Sequence, residues 1–199
     1  MRRLLVATTN RGKQLEFRRL LANLPAEIVT PDELGLDLEV PEPWDTYEEN
    51  AVAKADAYAR ASGLLTLADD SGLEVAALDG GPGVRTGRWG RGDGRDPDRM
   101  IEAVAGSVDR AARMVCVVAV AVPADDAGAP AIEVFGGEVL GSIARERRGT
   151  GGFGYDPVFE LEDGRTTAEL PEGEKDRVSH RGRAVAAATP HLTDLLLSA

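Results

Sequence analysis

One run constrains the fold of this 199-residue chain more than any other: residues 112–123, ARMVCVVAVAVP. It reads as the strongest strand in the sequence, rich in valine and closed by a proline. No apolar run here approaches the roughly 20 residues needed to cross a bilayer. Strand-like runs recur at residues 2–8 (RRLLVAT), 27–30 (EIVT), 64–68 (LLTLA), 73–78 (LEVAAL), 131–144 (AIEVFGGEVLGSIA) and 158–161 (VFEL). The runs LLTLA and LEVAAL read as separate strands, the second opening a hairpin, and the Gly pair in AIEVFGGEVLGSIA suggests a bulge.

Helical spacing appears between them. Residues 11–24 place Leu15, Leu20, Leu21 and Leu24 near one face, with Pro25 as the stop. Residues 31–45, rich in proline and acid, read as loop. Thr46 and Glu49 form a capping box, and the helix they open runs to Gly63. Residues 80–97 read as a long glycine-rich loop and 97–106 as a short helix. Residues 124–130 (ADDAGAP) read as a turn, and 148–157 as a second glycine-rich loop. A last helix is expected from about Lys175, with apolar Val185, Leu192, Leu195 and Leu196, and with Pro190 breaking or kinking it. Helices and strands alternate early and a β-rich stretch follows. That order predicts a mixed α/β or α+β fold in a single domain over residues 1–199.

Composition narrows the function. The formal net charge is −11. Such a chain repels a nucleic-acid polymer unless a basic patch intervenes. The basic groups at residues 85–99 and 145–148 fit solvated loops better than a polymer-binding groove. Cys116 is the only cysteine, which excludes an internal disulfide and a thiolate metal cluster. The N-terminus lacks the apolar region of a signal peptide. A cytoplasmic protein with no membrane partner is the expectation.

Four stretches carry candidate chemistry. In ATTNRGK, residues 7–13, small polar residues, a glycine and Lys13 lie between a strand and a helix. A helix N-terminus with an added cation suits a phosphate; it also suits an ordinary capped turn. GTGGFG, residues 149–154, matches the dinucleotide fingerprint in letters alone, because YDP follows instead of a helix. It can bring backbone close to a flat ligand, with Phe153 to stack, or form a surface loop. SHRGRA, residues 179–184, offers His180 and Arg181, with Lys175 nearby, as donors to a carbonyl or phosphate. Finally, Asp69 and Asp70 are adjacent carboxylates where the apolar run LLTLA stops. A divalent cation relieves their repulsion, and Glu42, Glu48 and Glu49 could complete an acidic site. DDSG is also good turn chemistry.

Taken in order, ATTNRGK, TYEENAVAKA, ADDSGLEVAALDGGPG, GTGGFGYDPVF and SHRGRA resemble the non-canonical purine nucleoside triphosphate pyrophosphatases, the inosine triphosphatase or Ham1 family, essentially end to end. The resemblance implies a long mixed sheet flanked by helices in two lobes, with the nucleotide between them. It implies a Mg²⁺-dependent homodimer that hydrolyses ITP, dITP and XTP to the monophosphate and pyrophosphate. By the same resemblance, Thr8, Thr9, Asn10, Arg11, Gly12 and Lys13 hold the triphosphate. Asp70 is the catalytic carboxylate and a Mg²⁺ ligand, and Glu42 is the second acidic metal position. Ser71 touches substrate. Phe153, Gly154, Tyr155 and Asp156 line the base pocket, and Lys175, His180 and Arg181 read the base. Thr9 stands where the family usually has glycine. A Maf-type hydrolase of modified pyrimidines would differ at ADDSG and GGFGYDP. A non-catalytic nucleotide sensor would lack the acids Asp69, Asp70 and Glu42.

Overall fold

The computed structural model describes residues 2–90, 95–124 and 128–198. Residues 91–94 of the expected glycine-rich loop and 125–127 of the expected ADDAGAP turn lie outside them. The strands are β1 (Arg2–Val6), β2 (Ala26–Val29), β3 (Leu65–Val75), β4 (Pro82–Gly83), β5 (Ala111–Val122), β6 (Ala131–Ile143) and β7 (Phe159–Glu160). The helices are α1 (Arg11–Leu20), α2 (Pro31–Leu34), α3 (Tyr47–Ser62), α4 (Thr86–Trp89), α5 (Asp96–Ala103), α6 (Glu172–Val178) and α7 (His180–Leu197). The seven-stranded sheet has the order β2-β1-β3-β5-β6-β7, with β4 paired to β3. β1 pairs with β2 and β3 in parallel, whereas β3–β4 and β6–β7 are antiparallel. The sheet is mixed, as the order of elements predicts.

Two compact units divide the chain. The first comprises Met1–Asp70, Cys116–Gly137 and Ala184–Ala199; the second comprises Ser71–Val115 and Glu138–Arg183. In the first unit, successive side chains along a strand point to opposite sides, and each side is covered separately. Leu4, Val6, Leu67, Cys116, Val118 and Val120 pack with Phe17 and Leu21 and with Ala184, Val185, Ala188 and Leu192 of α7. Leu5, Ala7, Ala68, Ala119 and Ala121 pack with Ala51, Ala55, Tyr58 and Ala59 of α3. Alanine meets alanine on that second face, so α3 lies close to the strands. The second unit has its own core of Leu73, Val75, Met100, Val104, Met114, Val139, Ile143, Tyr155, Val158 and Phe159.

Several local expectations change. LLTLA and LEVAAL are not two strands: β3 runs without a break over Leu65–Val75, and residues 76–78 turn as a 3₁₀ helix. Asp69 and Asp70 therefore lie inside a strand, not at its end, and DDSG is not a turn. Neighbouring strands on both sides of β3 impose the extended backbone that the local residues do not favour. The expected loop at 31–45 contains α2, and the loop at 80–97 contains β4 and α4. The C-terminal segment is two helices. Ser179 separates them and caps α7 by accepting from the Gly182 N–H at 3.1 Å. α7 continues through Pro190. Leu15 is 62% exposed, because two residues of helix, about 200°, turn it away from buried Phe17.

Candidate active site

In the first unit, β1 ends where α1 begins. Asn10 caps α1 by accepting from the Lys13 N–H at 3.1 Å, and the Thr8 hydroxyl accepts from the Asn10 N–H at 3.2 Å. Thr9, Asn10 and Arg11 are exposed, and Thr8, Gly12 and Lys13 are half-buried. The segment thus has the open helix N-terminus expected of an anion cradle. Lys13 is tied by its Nζ to Asp69 Oδ2 at 2.8 Å. Cys116 Sγ lies 3.9 Å from the same oxygen.

Asp69 and Asp70 are both buried but face opposite sides of β3. Asp69 meets Lys13 of α1. Asp70 meets α3, where Asn50 Nδ2 donates to its Oδ2 at 3.1 Å and Lys54 Nζ lies 3.9 Å from its Oδ1. Asn50 and Lys54 are one helical turn apart, on the face that carries Ala51 and Ala55. Lys54 also makes a 2.6 Å ion pair with Glu42 Oε1. Glu48 and Glu49 do not complete this group. Both are exposed in the first turn of α3, and Glu49 is engaged by Thr46, whose hydroxyl donates to its carboxylate at 2.6 Å and accepts from its N–H at 3.2 Å.

Burial pushes the Asp70 carboxyl up to about 6. Lys54, Lys13 and the Asn50 bond pull it down, and Glu42 pushes it further up. Burial alone would lower Lys54, but Asp69, Asp70 and Glu42 outweigh it and raise the ammonium above its ordinary range. Among the described residues, Asn50 Oδ1 is buried with no hydrogen-bond partner, while its amide nitrogen serves Asp70 and the Trp44 carbonyl. Among the described residues no three His, Cys, Asp or Glu side chains group to hold a metal. Two carboxylates and an unsatisfied amide oxygen nonetheless fit a hard cation that takes its remaining ligands from water and phosphate, as Mg²⁺ does.

In the second unit, the loop after β6 folds around Asp156. The Asp156 carboxylate accepts from Lys175 Nζ at 2.5 Å, from the Phe153 N–H at 2.7 Å and from the Thr167 hydroxyl at 2.8 Å. Asp156, Thr167 and Lys175 are all buried. Gly152 has φ 69°, and a Cβ there would collide with Asp156 Oδ2 and lie 2.7 Å from Lys175 Nζ; only glycine closes this loop. Lys175 Nζ and Arg181 Cζ lie 5.5 and 5.6 Å from the Phe153 ring centre. Arg181, buried at the start of α7, donates to Ser71 Oγ at 3.0 Å. His180 is buried beside it, so SHRGRA is not a solvated helix start.

Two of the expected pocket residues are held firmly within the second unit. The Tyr155 ring belongs to the second unit's apolar core and lies 6.5 Å from the Trp89 ring. Burial, with a smaller effect of Asp96, pushes its hydroxyl up to about 12. Asp156 is engaged by protein donors and fixes Lys175. Gly154, at φ 59°, is exposed. Sequence reasoning missed Asn50, Lys54 and Thr167. The first two had a signal: polar residues at i and i+4 on an alanine-rich helix face.

A family profile described as the Ham1 family matches residues 4–191. A dITP/XTP pyrophosphatase of Symbiobacterium thermophilum is 46% identical, over 98% of this chain and 97% of that protein. A dITP/XTP pyrophosphatase of a Nostoc species is 43% identical, over 98% and 96%. Among solved structures, a HAM1 protein from Coxiella burnetii superposes with a TM-score of 0.80 at 36% identity, each chain covered in full. A nucleoside-triphosphatase / dITP/XTP pyrophosphatase from Mycobacterium abscessus gives 0.72 at 39% identity, over 94% of this chain and 99% of that one.

Proposed function

This chain belongs to the Ham1 family, and from that premise we propose that it hydrolyses ITP, dITP and XTP to the nucleoside monophosphate and pyrophosphate. The observation that carries the reading is Asp70, a buried carboxylate raised to about 6 beside Glu42, Lys54 and the unsatisfied Asn50 Oδ1. Water bonds to the α-phosphorus, and the α–β bridging oxygen leaves with pyrophosphate. Asp70 accepts the water's proton. Mg²⁺ held by Asp70 and Glu42 would neutralise charge on the phosphate oxygens. The amides at the start of α1, with Lys13, hold the terminal phosphates. Asp69, on the other face of β3, positions Lys13 and takes no part in the proton transfer.

The base falls to the second unit's residues in this reading. Phe153 supplies a stacking face that any purine can use. Lys175, oriented by Asp156, and Arg181 supply donors that suit the 6-carbonyl of hypoxanthine and xanthine and not the 6-amino group of adenine. A cytoplasmic homodimer of a single catalytic domain belongs to the same reading, and no helix of the described residues is long and apolar enough to cross a membrane. Chromatography of early time points with ITP and Mg²⁺ tests the central claim. IMP and pyrophosphate are expected in equal amounts from the first turnovers. Accumulation of IDP with free phosphate would reverse the assignment of α1 to the terminal phosphates.

A further inference from the structure

Lys54 stands where a cation is wanted. Its ammonium lies 2.6 Å from Glu42 Oε1 and 3.9 Å from Asp70 Oδ1, and it is mostly buried. The two carboxylates it touches are the pair assigned above to a divalent ion. We propose that Lys54 is a resident counter-cation that competes with the metal for Glu42 and Asp70, so that metal binding must expel it and nucleotide binding receives it. The inference rests on the reading that Asp70 and Glu42 hold the metal.

Asp70, buried, and Glu42, a third exposed, are like charges near one another, and with no cation beside them their repulsion and the burial of Asp70 are costly. An ammonium on α3 offsets part of that cost in the metal-free protein. A divalent ion arriving alone must displace a charge already paired at 2.6 Å, so it gains only the difference between two attractions. The displaced ammonium, on a flexible four-carbon stem, then needs an anion. A triphosphate supplies one. Metal and nucleotide each improve the other's binding, a reciprocal coupling that follows from a shared competitor. Lys54 is fitted for the exchange because lysine is a point charge on a long stem, not a fixed fork.

The test uses Mn²⁺ as the probe, read by electron paramagnetic resonance on the full chain without nucleotide. Lys54→Met is expected to bind Mn²⁺ about tenfold more tightly than the unmodified protein. Lys54→Arg, which keeps the charge, is expected to stay weak. Equal or weaker Mn²⁺ binding by Lys54→Met overturns the proposal. Should Lys54→Met fail to fold, the unmodified protein still decides: labelling of Lys54 by an amine-reactive reagent should rise severalfold when Mn²⁺ saturates the site, and unchanged labelling overturns the proposal. A separate arm tests the underlying reading. Unmodified protein that binds no Mn²⁺ even with a non-hydrolysable ITP analogue removes the metal assignment itself, and the inference with it.

Discussion

Asp70→Asn should make the metal-free protein more stable while it abolishes hydrolysis. The Asp70 carboxyl is raised from 3.8 to about 6, chiefly by burial. A shift of about 2 units corresponds to ~3 kcal/mol of preference for the neutral form in the folded state. A carboxyl raised on folding adds stability below its unfolded value, and that contribution is lost as pH rises through about 6. At pH 8 the unmodified, metal-free fold carries the full cost of the buried charge. At pH 5 Asp70 is mostly protonated in the fold, and the cost shrinks by ~1.4 kcal/mol. Asparagine is neutral throughout and can still accept from Asn50. Its advantage should therefore approach ~3 kcal/mol at pH 8, where a chain of this size gains about 2–4 °C of Tm per kcal/mol. The advantage should fall as pH drops to 5. The assay is thermal unfolding in chelator at both pH values, beside turnover with ITP and Mg²⁺. Turnover should fall at least about 10²-fold. A variant less stable than the unmodified protein at pH 8 in chelator, or a gap that ignores pH, would refute the reasoning that burial governs Asp70.

Asp69→Asn should slow ITP hydrolysis less than Asp70→Asn, roughly tenfold against 10²-fold, with the loss mainly in KM because Lys13 loses its 2.8 Å partner; steady-state kinetics of both variants check it. Replacing Lys175 or Arg181 by Ala should erode the ITP/ATP ratio of kcat/KM more than it slows ATP. Thr167→Val, which removes one donor from Asp156 without touching Lys175, should erode the same ratio more mildly. Comparable kcat/KM for ITP and ATP in the unmodified protein would sink the base reading.

Much of the framework was legible in the chain. The helix from Thr46 to Gly63 carries its own start and stop: a hydroxyl that caps the Glu49 N–H, and a glycine at φ 65°. Residues 112–123 announce a buried strand by apolar content alone. The five motif stretches contain most residues of both side-chain groups, with Glu42, Thr167 and Lys175 outside them, since the residue types needed for anion, carboxylate and donor chemistry are visible in one dimension. Tertiary structure decided how they are used. Local propensity reads DDSG as a turn, yet β3 is held extended between β1 and β5, and a strand turns consecutive residues to opposite faces. Asp69 and Asp70, which look like one acidic pair, are thereby separated, one to Lys13 and one to Asn50 and Lys54. The same holds for Lys175, which the sequence offers as a base reader and the fold also commits to Asp156, 19 residues away in the chain. A charge's partner is set by distance in space, and sequence spacing specifies that distance only within a single helix or strand.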